Sequence, residues 1–312
     1  MSYTLTNSRW RPVHLHLSPS LHDHFLRAVV APLLRAEGLY EHFFFLRYWQ
    51  GGPHIRLRMR TGPDAAPAVD RVLAGLAEAM PEFAEQAREE YELGLAHQAE
   101  LARLEGEVTG DARAVGTLDP AAYEPEYGKY GGVDGVASAE ILFRETSAAV
   151  LDLLVAQNTP VGTRRAPIGE AARIMAMFLH GAGLDPEAAK VFLQQYEDYW
   201  SKWAPEEMRR AWPKLYQGVS AQLTQLCASV WLRGATADVF HDISAGAAAR
   251  ARSLCGAAPD ADVRQLSLDG TPYLSCLSNY IHTTNNRLGL VPASEGLVAY
   301  IVRRGLEEAI GQ

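Results

Sequence analysis

Residues 43–60 combine side chains that are suited to binding an anion. Their sequence, FFFLRYWQGGPHIRLRMR, contains a Gly-Gly-Pro break, which predicts a hairpin of two β-strands. Alternate side chains of a strand share a face, so the second strand has one cationic and one apolar face. The cationic face carries His54, Arg56, Arg58 and Arg60. Arginine forms paired, charge-assisted hydrogen bonds with carboxylates and phosphates, so this face is a candidate anion site, with His54 as a substrate-binding residue. The alternative is an edge strand that its charges keep soluble.

A second polar cluster, SNYIHTTNNRLGL, occupies residues 278–290. In a helix, Ser278, His282 and either Asn285 or Asn286 lie on neighbouring turns. The unperturbed pKa of imidazole lies near neutrality, so His282 is a candidate proton donor or acceptor. The candidate substrate-binding residues of this cluster are Ser278, Tyr280, Asn286 and Arg287. The alternative is a histidine that only satisfies polar groups of the core.

The segment 123–132, YEPEYGKYGG, is a third candidate. Pro125 and the glycines interrupt regular structure, and the Gly-Gly pair opens a helix predicted to begin near residue 136. The candidate substrate-binding residues here are Tyr123 and Lys129, and the candidates for the rim of a site are Glu124, Glu126 and Tyr130. The alternative is that the tyrosines only pack and the glycines only allow a turn.

Neither a metal site nor a cofactor site is predicted. Four histidines are close in the sequence: His14, His16, His22 and His24. No cysteine or acidic residue lies at a metal-binding spacing near them. Nucleotide-binding patterns such as GxGxxG and the P-loop do not occur, nor do the GxSxG and HExxH patterns of hydrolases. The candidate sites are therefore expected to act with protein side chains alone.

The composition favours a soluble, cytoplasmic protein. The 312 residues include 29 basic and 37 acidic ones, and a net charge of −8 argues against binding to nucleic-acid phosphates. Three cysteines without a CxxC pair favour a reducing compartment. The N-terminal sequence MSYTLTNSRWRPVH has no apolar signal core, and no apolar run reaches the ~18–20 residues of a membrane span.

The periodic patterns predict an α+β fold, in which a small, mainly antiparallel N-terminal sheet with helix cover precedes a predominantly helical C-terminal region. Residues 10–17 alternate like a strand, 19–35 carry a helical apolar stripe, and 65–107 form a charge-rich, solvated helical stretch. Residues 109–117 are a predicted loop. Helices are then predicted at 136–157, 167–182, 186–203, 205–233, 237–255, 271–286 and 293–310. One domain is expected over 1–312, with a sheet-containing part at 1–132 and a helical part at 133–312.

Several motifs together resemble the elimination domain of lanthipeptide dehydratases, in particular its stand-alone form in thiopeptide-type bacteriocin biosynthesis. They follow that family's order: FFFLRYWQGGPHIRLR, LARLEGE, YEPEYGKYGG, FRETSAAVLDLL and IHTTNNRLG. The resemblance extends from about Trp10 to Arg304.

This resemblance implies a lyase that removes glutamate from glutamylated Ser or Thr residues of a ribosomally made precursor peptide. It implies that Arg56 and Arg58 bind glutamate and take part in catalysis, and that His282 is the catalytic histidine. A separate enzyme that uses glutamyl-tRNA would first glutamylate the peptide, so this chain itself would need no cofactor and no direct contact with nucleic acid. Pro125 and Lys129 occupy positions where the family usually has arginine.

Two further functions remain open. The same family includes thiopeptide pyridine synthases, which join two dehydroalanines in a formal 4+2 aza-cycloaddition and release the leader peptide. There Ser278, Tyr280 and His282 would assist by hydrogen bonding. The arginine pair favours elimination, whereas Pro125 and Lys129 favour cycloaddition. The third function is a non-catalytic subunit that binds the leader along a strand of the sheet. The oligomeric state is open, with a homodimer as one alternative.

Overall fold

The N-terminal part is built on a four-stranded antiparallel sheet. The computed structural model describes residues 9–157 and 167–311. The strands are Trp10–His16 (β1), Phe43–Tyr48 (β2), His54–Arg60 (β3) and Leu118–Pro120 (β4). They follow the order β2-β3-β1-β4 across the sheet. The predicted first strand and the predicted hairpin are confirmed, whereas β4 has no counterpart among the predicted elements.

The arginine-rich strand β3 lies inside the sheet, paired with β2 on one side and with β1 on the other. On its apolar face, Ile55, Leu57 and Met59 are inaccessible to solvent. The opposite face carries the histidine and the arginines, as the alternation predicts. The alternative of an edge strand is wrong, because β3 is paired along both of its edges.

The segment between β1 and β2 is helical, as predicted. It contains the helix Pro19–Phe25 (α1), one turn of π-helix at Leu26–Val30 and the helix Ala31–Ala36 (α2). Leu21 and Phe25 of α1 are buried, and α1 contacts β3. The apolar stripe of the segment therefore covers the sheet.

The predicted helical stretch 65–107 is divided into three helices. They are Ala66–Ala84 (α3), Arg88–Ala96 (α4) and Gln98–Glu105 (α5). The first break includes Ala87, whose left-handed φ of +54° is unfavourable for alanine. The Ser18 hydroxyl donates a 2.6 Å hydrogen bond to the Ala87 carbonyl oxygen. The expectation of a solvated stretch is wrong at Tyr91, which is 2% exposed and donates to the carbonyl of Arg113 at 2.9 Å.

The C-terminal part is mostly helical, and the predicted α+β fold class is confirmed. Its helices are Tyr127–Tyr130 (α6), Gly132–Gln157 (α7), Ile168–Gly181 (α8), Pro186–Trp200 (α9), Glu206–Cys227 (α10), Val239–Leu254 (α11), Tyr273–Leu288 (α12) and Pro292–Ile310 (α13). A two-stranded hairpin, Ser267–Leu268 (β5) and Thr271–Pro272 (β6), precedes α12. Helix α7 begins at Gly132 and not near residue 136, because Gly131 and Gly132 complete the turn themselves with φ angles of +79° and +78°.

Two compact units divide the chain. The first comprises Met1–Glu124 and Ser147–Arg165, and the second comprises Pro125–Thr146 and Ala166–Gln312. The first contains the sheet, the second contains α8–α13, and α7 contributes residues to both. The single domain over 1–312 stays a prediction. Residues 1–8, part of the segment in which no signal core is expected, lie outside the described residues. Within residues 9–157 and 167–311, no helix is long and apolar enough to cross a bilayer.

Candidate functional site

On the cationic face of β3, the side chains of His54 and Arg56 are hydrogen-bonded to each other. Nδ1 of His54 lies 2.8 Å from the carbonyl oxygen of Gly52, so this nitrogen carries the proton and donates it. The other nitrogen, Nε2, accepts a 3.2 Å hydrogen bond from Nε of Arg56. The Arg56 guanidinium also lies 3.4 Å from the ring centre of Tyr48, a cation–π contact. His54 and Arg56 are therefore brought together, as predicted, and Arg56 is oriented by protein groups.

Arg58 is held between two aromatic rings. It is only 8% exposed, and its guanidinium carbon lies 5.2 Å from the ring centre of Phe44 and 4.9 Å from that of Tyr123. Because a guanidinium keeps its charge even when buried, this position supplies a fixed positive charge. Tyr123 belongs to the third candidate segment, so that segment contributes one predicted residue to the arginine-rich face.

Three histidine rings contact one another on the same face of the sheet. His14 of β1 lies opposite Arg56, and its ring centre is 4.6 Å from that of His54. The ring of His16 is 4.7 Å from His54, and Nδ1 of His16 lies 3.2 Å from the hydroxyl of Tyr91. Burial lowers the pKa of His54 to about 2, that of His14 to about 3 and that of His16 to about 4. Neighbouring guanidinium charges lower these pKa values further, so the three rings are neutral beside the arginines.

A cleft of about 260 Å³ opens on this face and is lined in part by Arg56, His14 and His16. The lining also includes Arg113, from the loop 109–117, and Asp119, from β4, neither of which was predicted as a site residue. Nε of Arg113 and Oδ2 of Asp119 are 2.8 Å apart. The loop carries no periodic signal, so its sequence gave no reason to place Arg113 beside the sheet. The cleft combines guanidinium, imidazole and carboxylate groups, which together can hydrogen-bond a polar ligand.

In the second unit, His282 of α12 is paired with a buried carboxylate. Its Nδ1 lies 2.6 Å from Oε1 of Glu295, which is completely buried in the first turn of α13. The positive end of a helix dipole favours a carboxylate at this position. The His282 ring stacks on Trp200 with ring centres 4.5 Å apart, and about a third of the side chain (31%) remains exposed. If Nδ1–H donates to Glu295, Nε2 is left as the proton acceptor.

The Glu295 carboxylate is held by two other donors. Its Oε2 accepts a short hydrogen bond from the Tyr196 hydroxyl and a 3.2 Å bond from Nδ2 of Asn285. Burial, and then the Glu295 charge, raise the pKa of Tyr196 well above its usual value, so the hydroxyl keeps its proton and donates. Glu295, Tyr196, Asn285 and His282 thus form one connected polar group, called here the His282–Glu295 cluster.

The remaining predicted residues of α12 lie on two sides of the helix. Ser278 and Asn286 are partly accessible, as His282 is, and the three follow the i, i+4, i+8 spacing of one side. Tyr280 and Arg287 are buried. Tyr280 stacks on Tyr130 with ring centres 5.8 Å apart, and the Arg287 guanidinium lies 5.0 Å from the ring centre of Phe143. The functional roles assigned to these residues stay predictions.

Lys129 lies on the short helix α6 and is half-exposed. Its Nζ forms a 2.5 Å ion pair with Oε1 of Glu126, three residues earlier. The carboxylate offsets the lysine charge, so this side chain is a weaker anion ligand than an isolated cation.

Glu295 was the main omission from the predicted site, although the sequence contains a signal for it. Glu295 shares the spacing of Val298, Ala299 and Val302, which are all buried. A carboxylate on such an apolar stripe must be buried and hydrogen-bonded to other groups. Within the described ranges, no group of three or more His, Cys, Asp or Glu side chains is arranged to hold a metal ion.

The sequence matches the profile of a family described as lantibiotic biosynthesis dehydratase C-term over residues 10–306. The chain belongs to this family. The description of this family supports an enzymatic role in lantibiotic biosynthesis. A comparison with curated proteins gave no match.

Solved structures with a similar fold include a pyridine synthase and a lantibiotic dehydratase. The pyridine synthase TbtD from thiomuracin biosynthesis is 20% identical, with a TM-score of 0.71, and the match covers 97% of this chain and 99% of that one. The tRNA-dependent lantibiotic dehydratase MibB from Microbispora sp. 107891 is also 20% identical, with a TM-score of 0.59. That match covers 100% of this chain, which spans 29% of the length of the dehydratase.

A third structure, TsrL, is 20% identical with a TM-score of 0.59, and the match covers 98% of this chain and 96% of that one. At 20% identity, these likenesses establish that this member of the dehydratase C-terminal family shares its fold with the three solved structures. They leave the reaction to be argued from its own residues.

Proposed function

We propose that this protein removes glutamate from glutamylated Ser or Thr residues of a precursor peptide, leaving dehydroalanine or dehydrobutyrine. The observation that carries the proposal is the His282–Glu295 cluster. A histidine whose Nδ1 is held by a buried carboxylate, and whose other side is partly accessible, has the arrangement of a general base. The proposal requires a separate enzyme that attaches glutamate to the precursor.

In this reaction Nε2 of His282 takes the α-proton of the esterified residue. The electrons of the Cα–H bond form the Cα=Cβ double bond, the Cβ–O bond breaks, and glutamate leaves as a carboxylate. The proton stays on the imidazole, and the Glu295 carboxylate stabilises the resulting imidazolium at 2.6 Å. A preorganised charge of this kind acts where charge develops in the transition state.

The proposal assigns recognition of the glutamyl carboxylates to Arg56 and Arg58. The support comes from the first unit alone. Arg58 supplies a fixed charge between aromatic rings, and Arg56 lines a polar cleft in which the neighbouring histidines are neutral. Neutral rings leave the positive potential to the guanidiniums, which bind carboxylates with the better geometry.

The test incubates the purified protein with a glutamylated precursor and measures the product mass. Elimination predicts the loss of glutamate and an unsaturated residue, and His282→Ala and Arg58→Ala are expected to abolish it. His97→Ala is a matched control, because that histidine is exposed and its ring contacts the carbonyl oxygen of Leu93, four residues earlier. Full turnover by both test variants would refute the assignment.

The second candidate function is the pyridine-forming cycloaddition. It is favoured by the fact that two of the candidate anion-binding side chains, Lys129 and Arg56, already contact other protein groups. Lys129 is ion-paired with Glu126, and Arg56 already stacks on Tyr48 and donates to His54. A cycloaddition mainly requires the two dehydroalanines to be held together, and it depends less on anion binding. Incubation with a fully dehydrated precursor distinguishes the two functions. Release of the leader peptide together with a pyridine-containing macrocycle, and no loss of glutamate from the glutamylated precursor, would refute elimination and support cycloaddition.

A further inference from the structure

Two histidines of the second unit face each other across a close contact of two helices. His180 lies in the last turn of α8, and His241 lies in the first turn of α11. Nδ1 of His180 is 3.1 Å from Nε2 of His241, and the ring centres are 5.3 Å apart. The two residues are 61 positions apart in the chain, so no local sequence pattern indicates the pair.

Contacts between the helices α8 and α11 hold the two histidines close together, apart from any contact between the rings themselves. A Cβ added to Gly181 would lie 2.4 Å from the carbonyl oxygen of His241, so the glycine allows α8 and α11 to approach closely. One turn further along α11, the Ser244 hydroxyl donates a 2.7 Å hydrogen bond to the carbonyl of Phe178. Trp231 packs on the His180 ring, with ring centres 6.0 Å apart. The positions of the two rings are therefore set by the helix packing.

The separation and the surroundings of the two nitrogens suit a shared metal ion. Two imidazole nitrogens bound to one zinc ion at about 2.0–2.1 Å, in a tetrahedral site, lie about 3.3 Å apart. The other nitrogen of His241, Nδ1, lies 3.4 Å from Oδ1 of Asp242. Metal-binding histidines usually donate their second N–H to such a carboxylate, which orients the ring.

We propose that His180 and His241 form a site for a divalent transition-metal ion of the zinc type, with Asp242 as its outer carboxylate. Water would fill the other coordination positions, since the described residues hold no third His, Cys, Asp or Glu in such a group. The bound ion would link α8 to α11. This site is separate from the proposed elimination chemistry, so either assignment can fail without the other.

Calorimetric titration of the full chain with zinc chloride, after removal of metal with a chelator, tests the site. One saturable site is expected in the natural protein. His180→Gln and His241→Gln are each expected to abolish it, and Asp242→Asn to weaken it by about 10-fold or more. His97→Gln is the control and is expected to bind like the natural protein. Equal binding by both ligand variants, or no saturable binding by the natural protein, would show a hydrogen-bonded histidine pair only.

Two measurements guard against variants that fail to fold. Thermal unfolding without metal shows whether each variant is folded. Zinc is expected to raise the Tm of the natural protein and of His97→Gln, but not that of His180→Gln or His241→Gln. In the natural protein, nitrogen NMR of the imidazole rings is expected to show zinc-dependent shifts of two histidines. Shifts confined to other histidines would contradict the assignment even if the substituted chains were unstable.

Discussion

Replacing Glu295 by glutamine tests the proposed catalytic base most directly. The substitution keeps the shape of the side chain and changes one oxygen to an NH₂ group. Two donors, the Tyr196 hydroxyl and Nδ2 of Asn285, point at Oε2, so the amide oxygen of Gln must occupy that position. The NH₂ group then faces Nδ1 of His282, which has to accept. The proton moves to Nε2, and the nitrogen that would take the α-proton is no longer a base.

The expected loss of activity has two contributions. The first is the charge: at an effective dielectric constant of about 20, a carboxylate stabilises a cation about 4 Å away by about 4 kcal/mol. Since His282 is 31% exposed, we expect about 2 kcal/mol, or about 30-fold in kcat. The second is the wrong tautomer, which lowers kcat by about four orders of magnitude when the carboxylate of a catalytic triad is replaced by an amide. The triad value already includes the lost charge, so we expect kcat to fall by between about 30-fold, for the charge alone, and about 10⁴-fold, for both contributions together.

The assay follows the mass of a glutamylated peptide at several substrate concentrations. A fall in kcat with an unchanged KM is expected, because Glu295 acts through His282 and does not contact the substrate. Glu307→Gln is the matched control on the same helix, because Glu307 lies near the C-terminal end of α13 and pairs with Arg303 and Arg304. A kcat of Glu295→Gln within 3-fold of the control, in a folded protein, would refute the base assignment; the factor of 3 is about 0.6 kcal/mol.

Other predictions concern stability. Gly52→Ala is expected to lower the free energy of unfolding by about 2–5 kcal/mol, because Gly52 has a φ of +115° and a new Cβ would lie 2.2 Å from the hydroxyl of Tyr91. Gly62→Ala, with no atom within 4 Å, is the control in denaturant titrations, and equal stability of the two variants would contradict the prediction. Acid is expected to destabilise the sheet: His54 and His16 titrate at about 2 and about 4 when folded, but near 6.5 when unfolded. The unfolded chain therefore binds more protons between about pH 6.5 and 4. Lowering the pH through this range decreases the free energy of unfolding by up to about 1.4 kcal/mol per pH unit for each histidine. A flat stability profile over this range, measured by urea unfolding, would contradict it.

The sequence predicts the sheet well where side-chain alternation is strong. In β3 the apolar residues Ile55, Leu57 and Met59 fix the register, because a shift by one residue would expose all of them. Alternation does not tell which strand lies at the edge, since that depends on partners distant in sequence. The pairing of β1 with β3 and the short strand β4 therefore became visible only in the fold.

The sequence indicates only part of the candidate site, because local patterns do not reveal contacts between residues that are distant in sequence. The sequence indicates His282 as a candidate because its neighbours in sequence are polar. Glu295 was missed because it lies among apolar residues on another helix, and Arg113 because it lies in an aperiodic loop. Both residues make their contacts, with His282 and with Asp119, to segments that are separate from them in sequence or in the fold. Local patterns carry information on burial and element type, but the identity of a hydrogen-bond partner depends on tertiary packing.

The buried carboxylate of Glu295 has a consequence for engineering. Removing a charge from water is unfavourable, and well-packed apolar side chains often replace a buried polar group with equal or greater stability. Joint replacement of Tyr196, Asn285 and Glu295 by Phe, Leu and Met is therefore expected to preserve or raise the melting temperature while removing the carboxylate that orients the proposed base, His282. Selection of this chain for thermostability alone would favour such inactive variants, so a screen has to include turnover if the cluster is to be retained.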